Sequence, residues 1–125
     1  MTEPALVISC DVHGNAIAAA PNGRQLAIAC PGAGAEFGST ELLLAALGGC
    51  IAASVTPLLQ RYGHRADDLE LRLFTGAKPL QDVVSVHIAL PAMADAVLQR
   101  CHRAVQNCPV LQALRTPVDI HWQTG

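Results

Sequence analysis

Aromatic side chains are nearly missing from this chain: one Trp, one Tyr and two Phe stand among 125 residues. Leu, Val, Ile and Ala must therefore fill whatever interior it builds. Charge is also sparse, at 14% Asp, Glu, Lys and Arg, while 51% of residues are hydrophobic. That profile describes a globular, somewhat oily protein with no polar tail, and part of its surface is expected to be buried against another subunit. A net charge of -2 removes the electrostatic case for nucleic-acid binding. The opening residues, Met1 to Leu6, lack the basic start and apolar run of a signal peptide. No repeat, low-complexity segment or linker interrupts the chain, so a single domain over residues 1–125 is expected.

No glycine-rich phosphate loop follows a strand, no GxSxG elbow is present, and the five histidines are scattered. Cofactor binding is therefore not expected. Cys101, His102 and Cys108 match no usual zinc spacing, and neighbours on a helix point about 100° apart, so no metal is expected either. The five cysteines form an odd count without the spacing of a small disulfide framework. That usage suits a reduced, cytoplasmic protein. The uncharged run Leu42–Leu59 borders on membrane-spanning length, yet it carries Gly48, Gly49, Ser54, Thr56 and Pro57 and no basic cluster at one end. A helix buried in a soluble core is the expected reading, with no membrane partner.

Periodicity gives the element order. Residues 5–10, 15–20 and 24–30 read as short strands, the last two joined by a Pro21-Asn22-Gly23 turn. Ser39 or Thr40 can cap a helix that runs to about Arg61, stopped by Gly63, with Glu41 in its first turn. Leu69, Leu71 and Leu73 alternate with polar residues, as do Val84, Val86, Ile88 and Leu90, and both patterns predict strands. Pro91 opens a second helix with an apolar stripe of Val97, Leu98, Cys101 and Val105. Asn107 ends it, and Pro109 starts a short helix to Arg115. Val118, Ile120 and Trp122 alternate in a last strand. The order βββ-α-ββ-α-β predicts an α+β fold.

Two cysteines stand out. Cys108 directly precedes a helix-opening proline, where free backbone N–H groups favour a thiolate. Cys50 sits inside an uncharged helix, where apolar surroundings quiet a thiol. Two glycines precede it, each costing a helix about 0.8–1.0 kcal/mol relative to alanine. Close approach of another backbone or a ligand would offset that cost. Packing thiols at both positions remain the bland alternative. Glu41 lies about 13.5 Å along the helix from Cys50, so it can reach the thiol only through an intermediary or across a subunit interface. Cys101 falls on its helix's apolar stripe and reads as packing.

These residues resemble the OsmC/Ohr family. Glu41-Leu-Leu-Leu-Ala-Ala-Leu-Gly-Gly-Cys50 looks like the family's first signature, and Asn107-Cys108-Pro109-Val110 with Leu114 beyond looks like the second. The wording is nearer to the OsmC-like branches of less defined activity than to the well-characterised peroxidases. The resemblance implies an intertwined homodimer with each long helix in a shared core. It implies thiol-dependent reduction of organic hydroperoxides in stress defence, with Cys50 as peroxidatic nucleophile, Cys108 as resolving thiol and an external thiol as reductant. A pocket around Leu42, Leu43, Leu47 and Ile51 would select organic peroxides. Family peroxidases carry an arginine near an early turn, but Asp11–Asn15 holds none. Arg24, the only arginine before Cys50, is the candidate activating cation, with Glu41 as its anchor. The alternative function is a non-enzymatic module that binds a small hydrophobic molecule at the dimer interface.

Overall fold

The computed structural model describes residues 4–28, 37–76, 84–115 and 117–123. The fold is α+β, and the chain divides into two compact units, Met1–Leu44 and Ala45–Gly125.

In the first unit, β1 (Val7–Cys10), β2 (Ala16–Ala19) and β3 (Gln25–Ile28) form an antiparallel sheet in that order. Its turns follow from local chemistry. The Asp11 carboxylate accepts the N–H groups of His13 at 2.8 Å and Asn15 at 3.0 Å, while Gly14 takes the left-handed φ of 85° that the reversal needs. The expected Pro21-Asn22-Gly23 turn forms likewise, with Gly23 at φ 86° and Asn22 Oδ1 accepting the Arg24 N–H. Val7, Ile8, Ile17 and Leu26 remain exposed. The end of the third predicted strand, with Cys30, and the following stretch to residue 36 lie outside the described residues.

The long helix α1 spans Ser39–Arg61 and continues through Pro57. Its start differs from expectation in detail. Gly38, not Ser39 or Thr40, occupies the cap: its C=O accepts the Leu42 N–H, and its own N–H donates to Glu41 Oε1 at 3.1 Å. Glu41 thus performs the reach-back half of a capping box. Gly63, at φ 85°, ends the helix, with His64 N–H on the Leu59 C=O and Gly63 N–H on that of Gln60.

The core of the second unit is built on one face of α1. Leu47, Ile51, Val55 and Leu59, spaced four apart, are buried with Cys101 and Cys108. The antiparallel hairpin of β4 (Glu70–Thr75) and β5 (Val84–Ala89) packs on them through Leu71, Leu73, Val84, Val86 and Ile88. The alternating leucines therefore face inward, as their period-2 pattern predicts. Gly48 explains part of the glycine pair, since a Cβ there would lie 3.1 Å from Leu73 Cδ1. The missing side chain lets β4 close on the helix. A Cβ at Gly49 would meet nothing within 4 Å. Gly49→Ala is therefore expected to raise the unfolding free energy by about 0.8–1.0 kcal/mol in a urea titration. A loss of stability there would mean that another surface packs on that glycine.

Helix α2 (Asp95–Gln106) begins four residues later than Pro91 suggests, because Pro91–Ala94 stays outside the helix and Ala94 caps it. Asn107 closes it, as expected, and α3 covers Pro109–Ala113. The predicted last strand is not formed: residues 117–123 carry no regular structure. A strand is stable only when its N–H and C=O groups find a neighbouring edge. Val118, Ile120 and Trp122 are 83%, 68% and 88% exposed.

Candidate active site

Pro109 shapes the α2–α3 junction. Its ring disfavours helical backbone at the preceding residue, and Cys108 accordingly lies at φ −58°, ψ 124° as the cap of α3. Asn107 N–H has just closed α2 on the Arg103 C=O at 3.0 Å, so the chain turns within two residues. The turn drives Cys108 inward, where it is 0% exposed in the core cluster. Cys50, in the middle of α1, is half-buried and packs against the same cluster. The two cysteines, 58 positions apart by subtraction, meet side chain to side chain, and the Cys50 thiol donates toward the Cys108 sulfur.

That contact separates their acidities. The hydrogen bond to Cys108 pushes the Cys50 thiol up, against a lowering influence from the Val110 N–H. Burial alone would raise Cys108. The donated Cys50 proton and the N–H groups of Leu111 and Val110 outweigh it and hold Cys108 below the ordinary thiol value. Neither N–H closes a regular cap hydrogen bond on the sulfur, so they act through their orientation at the start of α3. The contact thus splits the pair, with the thiolate favoured on Cys108 and the proton on Cys50. The groups that act on it are each other and backbone N–H groups; no guanidinium contributes among the described residues.

Glu41 is exposed at the start of α1 and is engaged by the Gly38 N–H. Arg24 is exposed beside the β2–β3 turn. Both belong to the first unit and the thiol pair to the second. Cys10 is exposed, and Cys101 is buried with its thiol pushed up by burial. No cluster of three His, Cys, Asp or Glu side chains suited to a metal exists among the described residues.

The leucines expected around a pocket divide between the units, Leu42 and Leu43 in the first, Leu47 and Ile51 in the second. Leu47 and Ile51 belong to the buried core cluster, and neither lines the cavity found among the described residues of this unit. A cavity of about 580 Å³ lies between Val55 of α1, Ile88 of β5, the Leu90–Met93 segment and α2. The late start of α2 creates it: a helix from Pro91 would fill that space differently. The only sequence signal was the proline itself. Neither Cys50 nor Cys108 lines this cavity.

An α+β subunit whose long central helix presents a thiol to a second thiol at a helix junction defines a class of two-cysteine domains. The chain belongs to the OsmC-like protein family, whose model matches residues 32–123 and so takes in α1, both helices that follow and both cysteines. A solved structure from Psychrobacter arcticus 273-4, described as an osmotic stress induced and detoxification response protein, shares the fold with a TM-score of 0.66. It is 18% identical, over 90% of this chain and 89% of that one. No curated protein matches the chain.

Proposed function

We propose that this protein is a cytoplasmic thiol peroxidase that reduces organic hydroperoxides, working as a homodimer in oxidative-stress defence. The observation that carries this reading is the Cys50–Cys108 side-chain contact, with Cys50 half-buried and Cys108 buried. Family membership supports it, as does the detoxification role given to the Psychrobacter protein.

Acidity and access favour different cysteines. Cys108 holds the charge more readily but is sealed in the core, whereas Cys50 is partly open. Their contact reconciles the two. The Cys108 thiolate takes the Cys50 proton as the peroxide arrives, which frees a nucleophile on the exposed side without an arginine. Cys50 sulfur attacks the distal peroxide oxygen, the O–O bond breaks, and the alkoxide leaves as alcohol with a solvent proton. Cys50 is now a sulfenic acid. Cys108 then attacks the Cys50 sulfur, water departs, and a disulfide remains for an external dithiol to reduce. One hydroperoxide, the singly protonated pair and one further proton thus give disulfide, alcohol and water. Arg24 and Glu41 enter this reading only as residues that a partner subunit could bring to the site.

Thiolate absorbance near 240 nm tests this split, read as the difference between the wild type and a Cys50→Ser, Cys108→Ser double variant that keeps the other three cysteines. In that difference one proton should be lost below the ordinary thiol value and the second above it. Cys108→Ser should lose the lower step. The sign for stability follows. A depressed Cys108 value contributes stability that is present above the unfolded thiol pKa and lost as pH falls through the folded one. A difference curve that shows two ordinary thiols would remove the basis for activation within the pair.

A further inference from the structure

We propose that the cavity between α1, β5 and α2 is a second binding site, separate from the thiol pair, for an aliphatic chain ended by a hydrogen-bonding head group. At about 580 Å³ it falls within the range of small-molecule sites. It is concave on several sides within one unit, with walls from Val55, Ile88, Leu90, Met93, Leu98 and Val105. No Phe, Tyr or Trp lines it, so the apolar walls suit a flexible chain rather than a stacked flat ring. Cys101 adds to the apolar lining as a buried thiol kept neutral by its burial.

Polarity is confined to one side. His102 and Gln106, four residues apart on α2, both line the cavity and are both exposed. An apolar trough with two hydrogen-bonding side chains on a single helical face matches an amphiphile with its head toward solvent. A wholly apolar occupant would leave that face without a role. The site requires nothing of the peroxidase reading, and its test reads binding alone.

The experiment uses the full-length protein and a fluorescent fatty acid, dansylaminoundecanoate, displaced by decanoate or by 1-decanol. Saturable, displaceable binding is expected, and the better competitor identifies an acid or an alcohol head. Leu98→Trp, which puts a larger side chain into the lining, should weaken binding at least tenfold. Val105→Trp, further along the same helix, should do the same if Leu98→Trp fails to fold. His102→Ala should weaken the better competitor about fivefold, the loss of one hydrogen bond. The Cys50→Ser, Cys108→Ser double variant should bind within twofold of the wild type. Absence of displaceable binding overturns the proposal, as does wild-type affinity in folded Leu98→Trp and Val105→Trp. Loss of binding in the double cysteine variant also overturns it, because the probe would then be occupying the thiol site.

Discussion

A pulse of cumene hydroperoxide is expected to convert the reduced protein to an intrasubunit Cys50–Cys108 disulfide that a dithiol reverses, and Cys50→Ser is expected to abolish that conversion. The reason is access: Cys108 is fully buried, and Cys50 is the member of the pair that a peroxide can meet. Removing a nucleophile commonly costs several orders of magnitude, so peroxide consumption should fall by at least about a thousand-fold in Cys50→Ser. Cys108→Ser should behave differently. It should consume about one equivalent and stop at a Cys50 sulfenic acid open to over-oxidation. Its first turnover should also slow, because the group that takes the Cys50 proton is gone. Mass spectrometry of the three proteins after the pulse separates these outcomes. If Cys108 is oxidised first, acidity rather than access governs the pair. If neither cysteine outpaces free cysteine, the peroxidase reading falls, and a binding module of the same fold replaces it.

The thiol pair was legible as two residues and not as a pair. Gly48-Gly49-Cys50 and Cys108-Pro109 announce themselves by local chemistry: glycines in a helix interior, and a cysteine before a helix-opening proline. Their contact depends on how α3 docks on α1, which no local pattern encodes; the resemblance to the OsmC/Ohr family was what joined them. The local argument for Cys108 as the more acidic thiol agrees with the geometry, where Val110 and Leu111 N–H groups face its sulfur. Glu41 shows the reverse case. Its position three residues after Gly38 satisfies a helix cap on local grounds, and the structure has it doing so. The hairpin's share of the core was readable because its leucines repeat at spacing two. Leu47, Ile51, Val55 and Leu59 instead form the core face of α1 in a run so uniformly apolar that no stripe stands out, with Leu47 and Ile51 expected at a pocket. The cavity was not readable either, because it follows from where α2 begins, and a proline at 91 is compatible with a start there or one turn later.

On the homodimer proposed above, disrupting residues 118–120 is expected to convert dimers to monomers. Val118, Ile120 and Trp122 keep the alternation of a half-buried strand, yet within one chain they face solvent. Their sequence is thus consistent with a strand whose neighbour is supplied by a second copy. Val7, Ile8, Ile17 and Leu26 add further exposed apolar surface, and Gly49 leaves an open place on α1. Burying one Val or Ile side chain contributes about 1.5–3 kcal/mol. Replacing both, as in Val118→Lys with Ile120→Lys, should therefore weaken association by at least about a hundred-fold. Sedimentation across micromolar concentrations reads this directly. Trp122, the chain's one tryptophan, reports the same event, since its emission should shift to the red as the dimer dilutes apart. In the double variant it should sit at the red limit at every concentration. A wild type that sediments as a monomer, with Trp122 emission already fully red, would show that this segment has no partner. The Gly49→Ala variant then discriminates further: stabilised if α1 presents that face to solvent, destabilised if a second copy packs on it.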